Sequence, residues 1–255
     1  MFTHVIVKKL GKSFVNGLTT ANLGKPDYDK AVKQHAAYVN ALKTCGVEVV
    51  ELEADECYPD STFVEDTAIV TEKCAIITNP GAESRNGEIK NMEGVLETFY
   101  EELEHIQGSG TLDGGDVLQV NDHFYIGLSD RTNKDGALQL KNILEKYGYK
   151  ADIVPLKAFF HLKTGIAYLD NQNLVVAGEF VDHELFKGFE KIVVDDDEEY
   201  AANCIYVNGN VIIPKGFEKA KEKMIAKGYP VIELEMSEFQ KVDGGLSCLS
   251  LRMKR

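Results

Sequence analysis

Residues 203–214, NCIYVNGNVIIP, set two apolar runs on either side of Asn208-Gly209. That dipeptide favours a two-residue hairpin turn, because both of its positions accept φ > 0. Three more stretches share this form: TAIVTEKCAIIT (67–78), DVLQVNDHFYIGLS (116–129) and GIAYLDNQNLVVAG (165–178). Their apolar runs flank Thr-Glu-Lys, Asn-Asp and Asp-Asn-Gln-Asn. A fifth segment, CLSLRMKR (248–255), begins in the same way without a following partner.

Behind each hairpin comes a helical pattern and then a short apolar strand. Ile89, Met92, Val95, Leu96, Phe99 and Leu103 form one amphipathic stripe. Ala137, Leu140, Leu144 and Tyr147 form another, with Gly148 placed to stop the helix and a strand over 151–155. The third unit predicts a short helix after Asp182 and a strand over 192–194, and the fourth predicts a helix through Ala220 and Met224, a stop at Gly228 and a strand over 231–234. The fifth unit is split across the termini. Its opening strand is expected over 246–253 and its hairpin partner over 3–7; its helix runs from Tyr28 through Leu42 to Gly46, and its last strand covers 47–52. Repetition of strand, turn, strand, helix and strand points to an α/β ring of five units closed by the chain's own ends, with an ordinary α/β sandwich as the alternative.

The 255 residues, 44% of them apolar and 27% charged, suffice for a sizeable core and are read as one domain, 1–255. With 28 Lys and Arg against 41 Asp and Glu, the net charge of −13 argues against nucleic acid or an anionic membrane as partner, because both attract clustered positive charge. Five cysteines, an odd number without CxxC spacing, do not suggest a disulfide or zinc framework. MFTHVIVKKL has no secretory pattern, and no apolar run approaches a membrane span, so the expected location is cytoplasmic and reduced. GxGxxG after a strand, P-loop, HExxH and GxSxG patterns are all missing from the sequence.

If the ring forms, the residues just before each opening strand share its axis. They read FVED (63–66), TLDGGD (111–116), HLKTG (161–165), AANC (201–204) and GGLSC (244–248). Carboxylates, a histidine, an asparagine and a cysteine would thus meet in one place. Taken singly, these residues have plainer readings: Cys248 as packing, His161 as structural, Asp60 as the turn residue after Pro59, Gly114, Gly115 and Asp116 as backbone-turn residues, Arg85 and Arg131 as surface charges, and Asn203 as a partner for buried backbone groups.

Taken together, FVEDTAIV, TLDGGDVL, RTN (131–133), HLKT, AANCIY and KVDGGLSC resemble the dimethylarginine dimethylaminohydrolase family of the guanidine-modifying superfamily, in order and over nearly the whole chain. The resemblance implies a five-bladed α/β propeller, the pentein fold, which agrees with the repeat count. It implies hydrolysis of Nω-methylated L-arginine to L-citrulline and methylamine or dimethylamine, with no metal or organic cofactor. Cys248 would attack the guanidinium carbon to form a covalent thiouronium, a task suited to a soft thiolate. His161 would protonate the departing amine and then deprotonate water. Asp66 and Asp113 would hold the guanidinium nitrogens, Asp113 being counted with the catalytic group, and a bound cation beside Cys248 would favour its thiolate. Arg85 and Arg131 would take the substrate carboxylate. Asp60 and the carbonyls of Leu18 and Val242 would take the α-amino group. Glu65 would support Asp66 or the substrate's far end and Phe63 would join the substrate-binding residues, under a lid formed by the Gly-, Asn- and Thr-rich stretch 16–24.

His161-Leu162-Lys163 and Asp113 differ from the His-x-Asp and the Glu that arginine deiminases carry, and those enzymes also have an inserted domain. Arginine or another guanidino compound remains the alternative substrate, and an arginine-like ligand held without turnover the alternative function. Zinc on Cys248 and His161 would want further ligands, so a metal there would inhibit. The exposed sides of the ring have room for a homodimer.

Overall fold

The structure, a computed structural model, describes residues 1–254; Arg255, which ends the fifth sequence segment, lies outside them. Strand β1 (His4–Lys8), helix α1 (Tyr28–Thr44) and β2 (Glu48–Leu52) open the chain. A first full unit follows as β3 (Ala68–Val70), β4 (Ala75–Ile77), α2 (Ile89–Leu96) and β5 (Leu103–His105), and a second as β6 (Val117–Val120), β7 (His123–Leu128), α3 (Lys134–Lys146) and β8 (Lys150–Pro155). The third comprises α4 (Leu162–Gly165), β9 (Ile166–Tyr168), β10 (Asn173–Val176) and β11 (Glu190–Val193). The fourth has β12 (Ile205–Val207), β13 (Asn210–Pro214), α5 (Glu218–Ala226) and β14 (Val231–Leu234), and α6 (Ser237–Gln240) leads on to β15 (Leu251–Met253).

These strands pair into five three-stranded sheets. In each, the second strand is the centre, antiparallel to the first through a hairpin and parallel to the third through a crossover. The split unit obeys the same rule. β15 runs antiparallel to β1, with His4 opposite Met253, and β1 runs parallel to β2, with His4 opposite Glu48. The expected ring therefore closes through strands from the two ends of the chain.

Hydrophobic burial makes the five sheets one ring. Ile69 and Ile76 of the first blade share a core with Val117 and Phe124 of the second, and Leu118 and Tyr125 of the second share one with Leu174 and Val176 of the third. Val175 joins Val211, Ile205 joins Val5, and Ile6 joins Ile77, so the last interface returns to the first blade. Helices α3 and α5 each seal one interface with the stripe read from sequence, through Leu140 and Leu144 on α3 and Ala220 and Met224 on α5. α5 ends where expected: Gly228 adopts φ 91°, a conformation that costs other residues a Cβ clash, and Tyr229 N–H then donates to the Met224 carbonyl.

Three local expectations are corrected. The helix expected to include Phe99 and Leu103 stops at Leu96, because Leu103 is needed opposite Ala75 as the first residue of β5. The third blade crosses over through the 3-10 turns Gly178–Phe180 and Glu184–Phe186, which bury Phe180 and Phe186, rather than through an α-helix. The fifth opening strand covers only Leu251–Met253, and residues Ser247–Leu249 form a 3-10 turn ahead of it. That turn has counterparts. Val64–Thr67, Gly114–Asp116, α4 and Asp196–Ala202 precede the other four opening strands, so every blade is entered through a short helical segment.

On α1, His35 is buried and its Nε2 has no hydrogen-bond partner. Burial pushes the imidazole down from 6.5 to about 4. The unfolded chain therefore takes up a proton that the folded chain refuses, so His35 costs stability as pH falls through 6.5 toward 4, on the order of 3 kcal/mol by the acid end. In urea unfolding at about pH 7 and pH 5, wild type is expected to lose more stability than His35→Leu. Equal losses would refute the assignment.

Candidate active site

The helical turns before the opening strands carry the polar groups inward. Asp66 sits in Val64–Thr67, whose end is tied back by Thr78 Oγ1 donating 2.6 Å to the Asp66 carbonyl. Asp113 precedes Gly114–Asp116, and His161 precedes α4. Cys248 lies within Ser247–Leu249, a segment that Tyr38 of α1 grips from below, its hydroxyl 3.0 Å from the Leu246 carbonyl and 2.7 Å from Ser250 Oγ. The hub is tight enough to require glycine at 115, where a Cβ would stand 2.6 Å from His161 Nδ1 and 3.1 Å from Asp66 Oδ1.

Asp60, Asp66, Asp113, His161, Cys248, Arg85, Arg131, Phe63, Leu18 and Val242 line a pocket of about 160 Å³. Ten of the residues named from sequence thus share one cavity, and Glu65 does not. It lines a neighbouring lobe of about 250 Å³, where Lys163 Nζ approaches it to 2.6 Å, Ser247 Oγ to 2.9 Å and Arg252 to 3.5 Å. This network also lines a larger cavity of about 670 Å³ in the ring. Glu65 is therefore part of the floor of the hub.

Charge in the pocket is arranged in opposition. His161 Nε2 lies 3.2 Å from Asp113 Oδ2, while Gly81 N–H donates 2.8 Å to the other Asp113 oxygen. Burial disfavours the imidazolium, but the charge of Asp116, the hydrogen bond to Asp113 and the charges of Asp66 and Asp113 outweigh it and hold His161 up at about 9. Burial likewise opposes ionisation of Asp66; Arg85, 2.6 Å away, and His161 overcome it and hold its carboxyl below the usual range. Cys248 opens onto the pocket, yet burial of its thiol and then the charges of Glu65 and Asp66 push it up to about 12, against a Gly245 N–H 3.5 Å from Sγ and the charge of Lys163. At neutral pH the unliganded site pairs a thiol with an imidazolium.

The two arginines differ. Arg85 is buried: Nε donates to Glu88, one Nη1 hydrogen to Asp66, and the Nη2 hydrogens to Glu88 and the Phe63 carbonyl, which leaves one Nη1 hydrogen. Its expected default as a surface charge is thus overturned. Arg131 has no ion-pair partner among the described residues and lies 5.2 Å over the Phe160 ring. Asp60 accepts the Leu18 N–H at 3.0 Å, and burial raises its carboxyl despite Arg85. Thr20 donates from N–H and Oγ1 to Asp243 at 2.5 and 3.0 Å, so the segment expected to form a lid is pinned by two carboxylates.

Donor atoms of Asp66, Asp113 and His161 lie within 4.8 Å of one another. A cation there would have to displace the His161 proton and compete with Arg85. Sequence reasoning missed Phe160 and Asp243 as pocket groups and Lys163 as a group of the neighbouring lobe, placed Thr20 only within the lid, and assigned Asp116 to a backbone turn. Asp116 in fact accepts from Ser129 and Thr132 at 2.6 Å each and from Leu162 N–H at 2.9 Å, and it is the strongest charge raising His161. Asn203 bonds the Lys163 carbonyl and Ser247, joining three of the turns. An Asp116→Asn variant is expected to lower the His161 titration midpoint measured by NMR; an unshifted midpoint would contradict this electrostatic account.

Residues 23–184 match the family model described as N,N dimethylarginine dimethylhydrolase, eukaryotic. An N(G),N(G)-dimethylarginine dimethylaminohydrolase of Pseudomonas aeruginosa is 51% identical, over 99% of this chain and 100% of that one. One from Streptomyces coelicolor is 33% identical, over 98% and 96%. A solved structure of the P. aeruginosa protein, a cysteine-to-serine mutant complexed with citrulline, superposes with a TM-score of 0.98 at 50% identity, covering 99% of this chain and 100% of that chain.

Proposed function

Because the chain belongs to the dimethylarginine dimethylaminohydrolase family, we propose that it hydrolyses Nω-methylated L-arginines to L-citrulline and methylamine or dimethylamine. The observation that carries this reading is a thiol, an imidazolium and two carboxylates in one pocket with Asp60, Arg85 and Arg131, a set that matches both ends of an arginine-like substrate. The citrulline held by the similar P. aeruginosa protein is the product this chemistry would release.

The substrate's guanidinium lies against Asp66 and Asp113, its carboxylate against Arg131 and the remaining Arg85 N–H, and its α-amino group against Asp60 and the carbonyls of Leu18 and Val242. The Cys248 thiol gives its proton to solvent as the guanidinium binds, and the thiolate Sγ attacks the guanidinium carbon. His161 gives its proton to the substituted nitrogen, the C–N bond breaks, and the amine leaves a thiouronium on the sulfur. Neutral His161 then takes a proton from water; the oxygen adds to the same carbon, and the C–S bond breaks to give citrulline. Glu65 acts from the floor, through Ser247 and Lys163. Thr20 and Leu18 hold the lid down, which keeps bulk water from the intermediate.

Since Asp66 and Glu65 both raise the free thiol, a bound guanidinium reverses the local charge and favours the thiolate. Alkylation of Cys248 measured against pH is expected to shift to lower pH when a non-reactive guanidinium ligand is added, and an unmoved profile would count against substrate-assisted ionisation. The assignment itself is tested by citrulline release from asymmetric dimethylarginine, monomethylarginine and arginine. The methylated substrates are expected to yield citrulline, with no turnover by Cys248→Ser. Citrulline from arginine alone would favour a deiminase, and binding without any turnover a ligand-holding protein.

A further inference from the structure

We propose that the 250 Å³ lobe beside Cys248 is a subsite for the substituents on the departing nitrogen, and that the chain therefore also hydrolyses L-arginines carrying one larger uncharged Nω-substituent, from propyl to benzyl. The proposal rests on the function proposed above and extends its substrate class. The two lobes meet at Thr20, Phe160, His161, Asp243, Gly244 and Cys248, so the reacting atoms stand at their junction. Asp60, Arg85 and Arg131 line only the smaller lobe, as do Asp66 and Asp113. A substrate whose amino-acid end and guanidinium occupy that lobe directs its outer nitrogen past His161 into the larger one.

Size and lining both favour bulk. At about 250 Å³ the lobe is larger than the pocket of about 160 Å³ that takes the amino-acid end and the guanidinium, whereas dimethylamine has only three heavy atoms and benzylamine eight. Its polar groups are mostly satisfied within the protein. Glu65 is ion-paired with Lys163 and lies 3.5 Å from Arg252, Tyr200 donates 2.7 Å to the Gly244 carbonyl, and Asn203 is bonded to the Lys163 carbonyl and Ser247. An alkyl or aryl group entering beside Leu23 and the Tyr200 ring therefore displaces water without orphaning a donor or acceptor, and a charged substituent finds no free counter-ion in the Glu65–Lys163 floor.

The reaction balances as for the methylated substrates. The S–C bond forms as His161 protonates the substituted nitrogen, the C–N bond breaks to release propylamine or benzylamine, and water supplies the citrulline oxygen as the C–S bond breaks.

The test uses the full chain with Nω-monomethyl-, Nω-propyl- and Nω-benzyl-L-arginine in parallel, following citrulline and the released amine. Propyl and benzyl substrates are expected within about tenfold of the monomethyl kcat/KM, and Leu23→Trp and Gln240→Trp, which fill the lobe, are expected to lower the benzyl-to-methyl ratio at least about tenfold. Turnover of monomethylarginine alone would overturn the subsite while leaving the function proposed above intact. So would bulky substrates that compete without releasing amine, or a ratio that neither tryptophan variant moves. No citrulline from any of the three would overturn the underlying function itself.

Discussion

The pairing of β15 with β1 is the constraint on which the rest depends. Placing Val5 opposite Arg252 fixes the last blade and carries Cys248, five residues or fewer from that strand, to the hub beside His161. The same pairing lets Ile6 and Leu251 bury against Ala68 and Ile77, the interface that turns a row of blades into a ring. A closed ring has no free end blade. Helical turns from different blades can therefore face one another, and residues separated by 182 positions, Glu65 and Ser247, come within hydrogen-bonding distance.

That convergence creates an electrostatic problem and resolves it locally. Asp66, Asp113, Asp116, Glu65, Glu88, Arg85 and His161 are all buried, and each isolated charge would be costly there. Opposite charges and backbone N–H groups compensate them: Arg85 between Asp66 and Glu88, His161 among three carboxylates, and Gly115 and Gly81 N–H on Asp66 and Asp113. Cys248 is the exception, its negative form opposed by both burial and Glu65. In the empty pocket the surroundings of Cys248 therefore favour the protonated thiol, and what occupies the pocket bears on how readily it ionises.

Much of this was legible in the sequence because periodicity and turn chemistry are local. The Asn208-Gly209 turn, the α3 stripe and the α5 stop at Gly228 each depend on neighbouring residues, and the repeated order of elements supplied the ring. The residues ahead of the opening strands supplied five groups of one pocket, Phe63, Asp66, Asp113, His161 and Cys248, and the family resemblance supplied Leu18, Asp60, Arg85, Arg131 and Val242. What was not legible depends on contacts between distant segments. Leu103 continues a helical stripe on paper, but its partner Ala75 lies in another strand. Glu65 adjoins Asp66 in sequence, and the Val64–Thr67 turn sends the two carboxylates to different lobes. Asp116 looks like part of a glycine turn until Ser129, Thr132 and Leu162 are seen to converge on it.

The order in which strands emerge during synthesis has a consequence of its own. β1 is made before every other strand described and its antiparallel partner β15 after them all, so the fifth sheet is incomplete while the four units between them are being made. The first four blades can assemble vectorially from contacts close in sequence, but the final interface must wait for a closure spanning nearly the whole chain. Cys248 lies on that late segment. The segment that delivers the nucleophile to the hub is thus the same one that locks the ring, so the site is complete only when the fold is.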